Sequence, residues 1–238
     1  MRKIILGILL LPAAAAPRLA VVIDDFGLTY PKNVPDEKWM ALDLPMTFAV
    51  MPESPRTARA AKETLAAGKE LIIHFPFDPF LSLELPPGRV SPEDLRKVLE
   101  LLDKSLKQIP GAKGLNNHRS YRATRHRPLM EGFMKLLKPK GLYFLDSLVS
   151  SKSAAFEEAR KASIPAAVNA IFLDEAKVHD KPFCQKMLRR AASLARKRGE
   201  AIAIGHHYFW GTYECLLEEG PKLRKEGFEF VFASALLK

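Results

Sequence analysis

Six short apolar runs in this chain each end in an acid or an imidazole. Leu19 to Ile23 leads into Asp24 and Asp25, and Glu70 to Ile73 into His74. Lys113 to Asn117 leads into His118 and Leu142 to Leu145 into Asp146. Val168 to Leu173 leads into Asp174, and Ala201 to Ile204 into Gly205 and His206. Two imidazoles and one carboxylate are a standard ligand set for a catalytic divalent cation with an open position for water. Nitrogen and oxygen donors without a thiolate suit zinc, and manganese, cobalt and nickel also accept them. A cation so held brings the pKa of a water towards neutrality and supplies a nucleophile without a serine or cysteine. A spare carboxylate beside a ligand carboxylate can take the water's proton, and a further histidine across the site can protonate a leaving amine or alkoxide. Asp24, Asp25, His74, His118 and His206 are of the right types for these roles, and the residues alone leave the assignment open. Any one of them singly reads better as a cap or a satisfied buried polar group; six at six strand ends are not easily explained that way.

The elements that must position them alternate. Strands are expected at 19–23, 47–50, 70–73, 113–117, 142–145, 168–173, 201–204 and 228–232. Between them lie helices at about 55–67, 91–109, 128–137, 154–162, 182–198 and 212–225. The clearest is the second, where Ser91 caps, Pro92 suits the first turn, and Leu95, Val98, Leu99, Leu102 and Leu106 recur on one face. Such alternation argues for a parallel sheet covered by helices. In parallel α/β folds the carboxyl ends of the strands share one rim, and sites are built there. About eight strands permit a closed barrel or an open doubly wound sheet, and periodicity does not separate the two.

Composition sets the frame. With 238 residues, 47% of them hydrophobic and 27% charged, the chain can bury one sizeable core and is not a disordered one. Met1, Arg2 and Lys3 form a positive n-region, Ile4 to Leu11 an apolar stretch, and Ala13 to Ala16 an A-x-A cleavage site before Pro17. Residues 1–17 are therefore expected to be a signal peptide, and the rest an exported, periplasmic or extracellular domain spanning 18–238. A membrane enters only through that segment if it stays uncleaved. The formal charge of +10 is scattered, with no aromatic residues interleaved among the basic helix positions. It suits an anionic envelope polymer rather than nucleic acid. Cys184 and Cys215 lack metal-type spacing; export allows a disulfide, and two separate buried thiols are an equal expectation.

The run Val21-Val22-Ile23-Asp24-Asp25-Phe26-Gly27 resembles the VIDDFG motif of the divergent polysaccharide deacetylases, relatives of the NodB-type carbohydrate esterases. The wider pattern is also similar: Leu44-Pro45 to Pro52, Gly68 to Pro76 around His74, Gly114-Leu115-Asn116-Asn117-His118, Phe144-Leu145-Asp146-Ser147, Phe172-Leu173-Asp174 and Ala203-Ile204-Gly205-His206. It covers the chain from about Leu19 to the C-terminus. The resemblance implies a distorted (β/α) barrel of about seven parallel strands and a metal-dependent deacetylase site. By position, Asp24 becomes the general base, Asp25, His74 and His118 the ligands of one divalent metal (zinc by preference), and His206 the general acid. Asp146 becomes an orienting or substrate-contacting group. Ordinary NodB-type enzymes take their second and third ligands from one H-x-x-x-H motif. Asp78 stands in place of that second histidine, so the third ligand is taken from the asparagine–asparagine–histidine motif.

The implied substrate is an N- or O-acetylated envelope polysaccharide such as peptidoglycan. Asn117, Arg119, Arg122, Asp174 and Trp210 are the candidate substrate contacts. After His206 the family continues Pro-His-Pro, whereas this chain reads His207-Tyr208-Phe209-Trp210, an aromatic run suited to a sugar-stacking lip or to packing under the next helix. Two other classes remain: a non-catalytic glycan-binding or cell-wall regulatory protein on a deacetylase fold, and a metal phosphoesterase or amidohydrolase.

Overall fold

In the computed structural model, which describes residues 15–238, strands and helices alternate along the chain; residues 1–14 of the expected signal segment lie outside the described residues. One sheet contains β1 (Arg18–Phe26), β2 (Met46–Val50), β3 (Glu70–Pro76), β4 (Gly114–His118), β5 (Tyr143–Asp146), β6 (Ala166–Val168), β7 (Ile171–Phe172), β8 (Glu200–His206) and β9 (Glu229–Val231). Its path is β6-β5-β4-β3-β2-β1-β8-β7, with β9 added to β1, and every pairing between these strands is parallel. The two ends of the path are separated in sequence only by Asn169 and Ala170, so the sheet curls into a half-barrel. Asn169 N donates to Asp146 O and Ala170 N to Ile202 O, both at 2.9 Å, across the seam.

The structure thus has eight strands on the curled path against the seven expected. The run 168–173 is two strands and not one. Asn169 interrupts it: its side chain donates to Ser147 O and accepts from Ile171 N, and the chain changes partner from β5 to β8 there.

Helices α1 (Asp36–Met40), α2 (Thr57–Ala66), α3 (Pro92–Gln108), α4 (Tyr121–Arg125), α5 (Arg127–Leu137), α6 (Ala155–Lys161), α7 (Lys181–Arg198) and α8 (Trp210–Lys225) complete the fold. Sequence periodicity missed α1 and α4, because five residues are too few for a 3.6-residue pattern to repeat. Ser91 caps α3 by accepting from Asp94 N. The Asp94 carboxylate in turn accepts from Glu84 N and Leu85 N, tying the proline-rich loop to the helix. Cys184 on α7 and Cys215 on α8 are joined in a disulfide, Cα atoms 6.1 Å apart, so the alternative of two separate thiols does not hold.

Strand alternation sorts the core into two shells. Leu19, Val21 and Ile23 belong to the large outer cluster with the helices. Ala20, Val22, Ala49, Ile72, Leu145, Ala167, Ile202 and Ile204 fill the barrel interior. Continuing the inward parity along β1, β3, β4 and β8 gives Asp24, His74, Asn116, His118 and His206. The candidate site is therefore the next layer of side chains above the apolar interior, at the carboxyl end of the strands.

Candidate functional site

Consecutive residues of a strand point to opposite faces, so Asp24 and Asp25 cannot both face inward from a regular β1. The backbone solves this at Asp25, which has φ 71°. The register of β1 with β2 slips between Ile23 and Phe26, as at a bulge. Aspartate is among the residues that tolerate this left-handed conformation. Gly27 follows at φ 93°, where a side chain would also press on Met51 O.

Three electron-pair donors then meet. Asp25 Oδ1 lies 2.9 Å from His118 Nδ1 and 3.2 Å from His74 Nε2, and the two imidazole nitrogens are 2.9 Å apart. All three residues are buried. Such a convergence sets three atoms that all carry lone pairs within hydrogen-bond distance of one another, out of reach of water. A divalent cation among the three atoms satisfies them, and the donor set is the one such cations accept in catalytic sites. Without a cation, burial works against an ionised Asp25, yet protons shared from the His118 and His74 rings hold its pKa well below the ordinary carboxylate value; a cation would take the place of those protons. The group is thus ready as an anionic ligand.

Asn116, which in the sequence stands only as part of the motif around His118, organises the site. His74 Nδ1 donates to its Oδ1 at 2.7 Å, which fixes the ring with Nε2 free towards Asp25. Its Nδ2 donates to Asp24 Oδ1 at 2.8 Å. Asp24 Oδ2 stands 3.7 Å from His74 Nε2, beside the three donors and not among them. Burial raises the pKa of Asp24, with His74 and His206 opposing the shift and Asp25 adding to it.

Across the pocket, His206 Nδ1 is 2.5 Å from Asp174 Oδ1. Asp174 Oδ2 accepts from His206 N and from the Thr212 hydroxyl, so the carboxylate is held from three sides. Gly205 is needed at this point, because a Cβ there would lie 2.8 Å from Thr212 Cγ2 and 3.2 Å from Asp174 Oδ2. Burial disfavours a charged His206, but the bond to Asp174 and its charge prevail and raise the pKa to about 9.

The remaining expected residues divide. Asn117 and Arg119 line the pocket, a cleft of about 300 Å³ bounded also by Phe172, Asp174 and Tyr208. The Asn117 side chain is bonded to Ser147 N and Arg119 O. Asp146 is not beside His206. It sits one residue past inward-facing Leu145, so it points out of the barrel, and its oxygens accept from Leu148 N, Ser153 Oγ and Phe156 N. The carboxylate that orients His206 is Asp174. Arg122 lies outside the pocket lining; its backbone N–H donates to Asp78, whose carboxylate also accepts from Ala123 N and starts α4. Trp210 borders a neighbouring groove instead of the pocket. His207, on the opposite parity to His206, is buried against Phe26, and its carbonyl accepts from Trp39.

A parallel α/β half-barrel with a buried aspartate and two histidines at the carboxyl ends of its strands, flanked by Asp24 and by the His206–Asp174 pair, defines the class by its fold: NodB-like. The divergent polysaccharide deacetylase family matches residues 21–237, and the chain belongs to that family. It is 31% identical over 210 residues to the uncharacterised protein YibQ of Escherichia coli K12; the match spans 86% of this chain and 64% of that protein's length. The crystal structure of the uncharacterised protein ATU2773 from Agrobacterium tumefaciens C58 superposes with a TM-score of 0.80 at 22% identity, covering 94% of this chain and 90% of that one. The fold also matches the catalytic domain of a peptidoglycan N-acetylglucosamine deacetylase from Eubacterium rectale (TM-score 0.59, 14% identity, 93% and 91% covered). It matches BA3943 of Bacillus anthracis, described as a CE4 family pseudoenzyme (TM-score 0.55, 14% identity, 94% and 66% covered).

Proposed function

We propose that this protein is a metal-dependent hydrolase that removes acetyl groups from an envelope polysaccharide, with peptidoglycan as the natural candidate. The observation that carries the reading is the meeting of Asp25, His74 and His118 in one buried cluster, with Asp24 on one side and His206 across the pocket. Those three residues would hold the cation, and zinc suits the donor set. When bound it polarises an acyl carbonyl and lowers the pKa of a water.

The protein's own groups do the rest. Asp24 lies beside the three donors without joining them and is anchored through one oxygen by Asn116, so its other oxygen is placed to take the proton of the attacking water. His206, kept protonated by Asp174, donates to the leaving amine or alkoxide. Arg119 at the rim is placed for an anionic group on the substrate. The disulfide between α7 and α8 supports an oxidising, exported setting.

The test joins elemental analysis of the purified protein to acetate release from chitooligosaccharides and peptidoglycan. One equivalent of metal and released acetate are expected. Asp24→Asn should keep the metal and lose turnover by about 10²–10⁴-fold, and His74→Ala should lose the metal. Metal present with no acetate from any glycan leaves a non-catalytic glycan-binding protein on a deacetylase fold and removes the hydrolase.

A further inference from the structure

Next to the catalytic pocket lies a second concavity of about 830 Å³, against about 300 Å³ for the pocket itself. Tyr208 lines both, so the two adjoin. The wall of the larger groove is a run of rings. Tyr30 and Tyr208 have centroids 4.5 Å apart, and Phe209 lies 4.4 Å from Tyr208 and stacks on His179 at 4.0 Å. Trp210 is fixed at the other end by its indole N–H donating to Lys32 O at 3.0 Å.

The rings at its two ends, Tyr30 and Trp210, are not packed away. Tyr30 is 37% exposed, Trp210 40% and Val178 41%, while Tyr208 and Phe209 are half-buried against their neighbours. Aromatic faces left in water beside a reaction site cost hydrophobic free energy that a stacked ligand recovers. The rim carries Lys32 and Lys177, both exposed. The carboxylate in the groove, Asp180, accepts from Phe183 N as the cap of α7. With two lysines against one carboxylate that is already engaged, the groove presents exposed ring surface under a net positive charge, a surface complementary to a pyranose bearing an anion.

We infer that this groove is an extended subsite: it binds a further sugar of the same chain, one that carries a carboxylate, while the acetylated sugar occupies the metal pocket. The inference rests on the deacetylase reading and adds to it a substrate class, an acidic oligosaccharide longer than one residue.

The test is a binding measurement on the full chain carrying Asp24→Asn, so that substrate is not consumed. The protein has two tryptophans, and Trp39 is fully buried, so a change in emission on adding glycan reports Trp210 in the groove. Two probes are titrated: the neutral tetramer of N-acetylglucosamine, and a tetrasaccharide alternating N-acetylglucosamine with N-acetylmuramic acid. The carboxylated probe is expected to bind about tenfold tighter at low salt and to lose that advantage at high salt. Lys32→Glu with Lys177→Glu should abolish the preference and leave the melting temperature unchanged. Tyr30→Ala should weaken both probes by about tenfold.

Equal affinity for the two glycans, or Tyr30→Ala binding as tightly as its parent, overturns the subsite. Glycan bound through Tyr30 and the lysines with no acetate ever released by the wild-type protein removes the hydrolase and leaves the groove. Acetate released with no role for these residues does the reverse.

Discussion

Asn116 accepts the Nδ1 hydrogen of His74 at 2.7 Å, although 42 residues separate them in the chain. The same amide donates to Asp24 at 2.8 Å, so one side chain sets both the His74 tautomer and the orientation of Asp24, the proposed base. Asn116→Ala leaves a buried donor and a buried acceptor bare. The expected results are a loss of about 1–3 kcal/mol in stability and about 10–100-fold weaker metal binding or activity. Asn116→Asp separates the two roles. A carboxylate still accepts from His74, but the donor to Asp24 is replaced by a like charge. The pKa of Asp24, already raised by burial, must rise further, and the base works only when ionised. The acid limb of the pH–rate profile should therefore move to higher pH in Asn116→Asp; an unmoved limb counts against Asp24 as the base.

The pairing of His206 with Asp174 gives a second measurable quantity. In the metal-free protein the pKa of His206 is raised to about 9 by Asp174, against the burial that would lower it. Because the folded value lies above the ordinary one, the pair's contribution to stability is complete below about pH 6.5. It is lost as pH rises through about 9. Imidazole NMR on the chelated protein should follow this titration, and Asp174→Asn should bring the midpoint down. Added zinc should also lower it, since a nearby cation disfavours imidazolium. A His206 that titrates at its ordinary value in the chelated wild-type protein would show that the pair does not form in solution.

Much of this site was written in strand endings, and parity decides which of them count. Asp24, His74, His118 and His206 continue the inward rows of Val22, Ile72, Asn116 and Ile204, so their convergence follows from a two-residue period. The same rule places Asp174 inward after Phe172 and turns Asp146 outward after Leu145; a reading by strand ends alone treats the two aspartates alike. Asn116 was legible by this rule as well, two residues before His118. Other features were not. Asp25 faces the site through a left-handed residue and a register slip, which a run of apolar letters does not announce. The break at Asn169 depends on side-chain bonds to Ser147 and Ile171, and the disulfide on two helices meeting in space. These are tertiary facts, carried by no local pattern.

Metal binding should be visible without any substrate. A ligand that binds only the folded chain stabilises it by about 2.7 kcal/mol at one hundred times its dissociation constant. For a chain of this size that is a rise of roughly 5–10 °C in melting temperature. Zinc added to the chelated protein should produce it, and Asp25→Ala or His118→Ala should abolish it. Asp24→Asn should keep it, because Asp24 lies beside the donors and not among them. A full shift in His118→Ala would mean that the third ligand is another residue.

The disulfide closes a segment that contains the strand and the turn delivering His206. Cys184 and Cys215 are 31 residues apart, with β8 and the start of α8 between them. In the chain-entropy description a crosslink of this span stabilises by about 3–4 kcal/mol, mainly by restricting the unfolded chain. The double variant Cys184→Ala with Cys215→Ala should therefore melt at a clearly lower temperature, and reduction should do the same to the wild-type protein. Turnover at a temperature where both forms are folded should change little, because Asp174 and Thr212 hold His206 directly and neither depends on the sulfurs. A double variant that keeps its melting temperature but loses activity would reverse this assignment: the crosslink would then serve to place His206 and not to hold the fold.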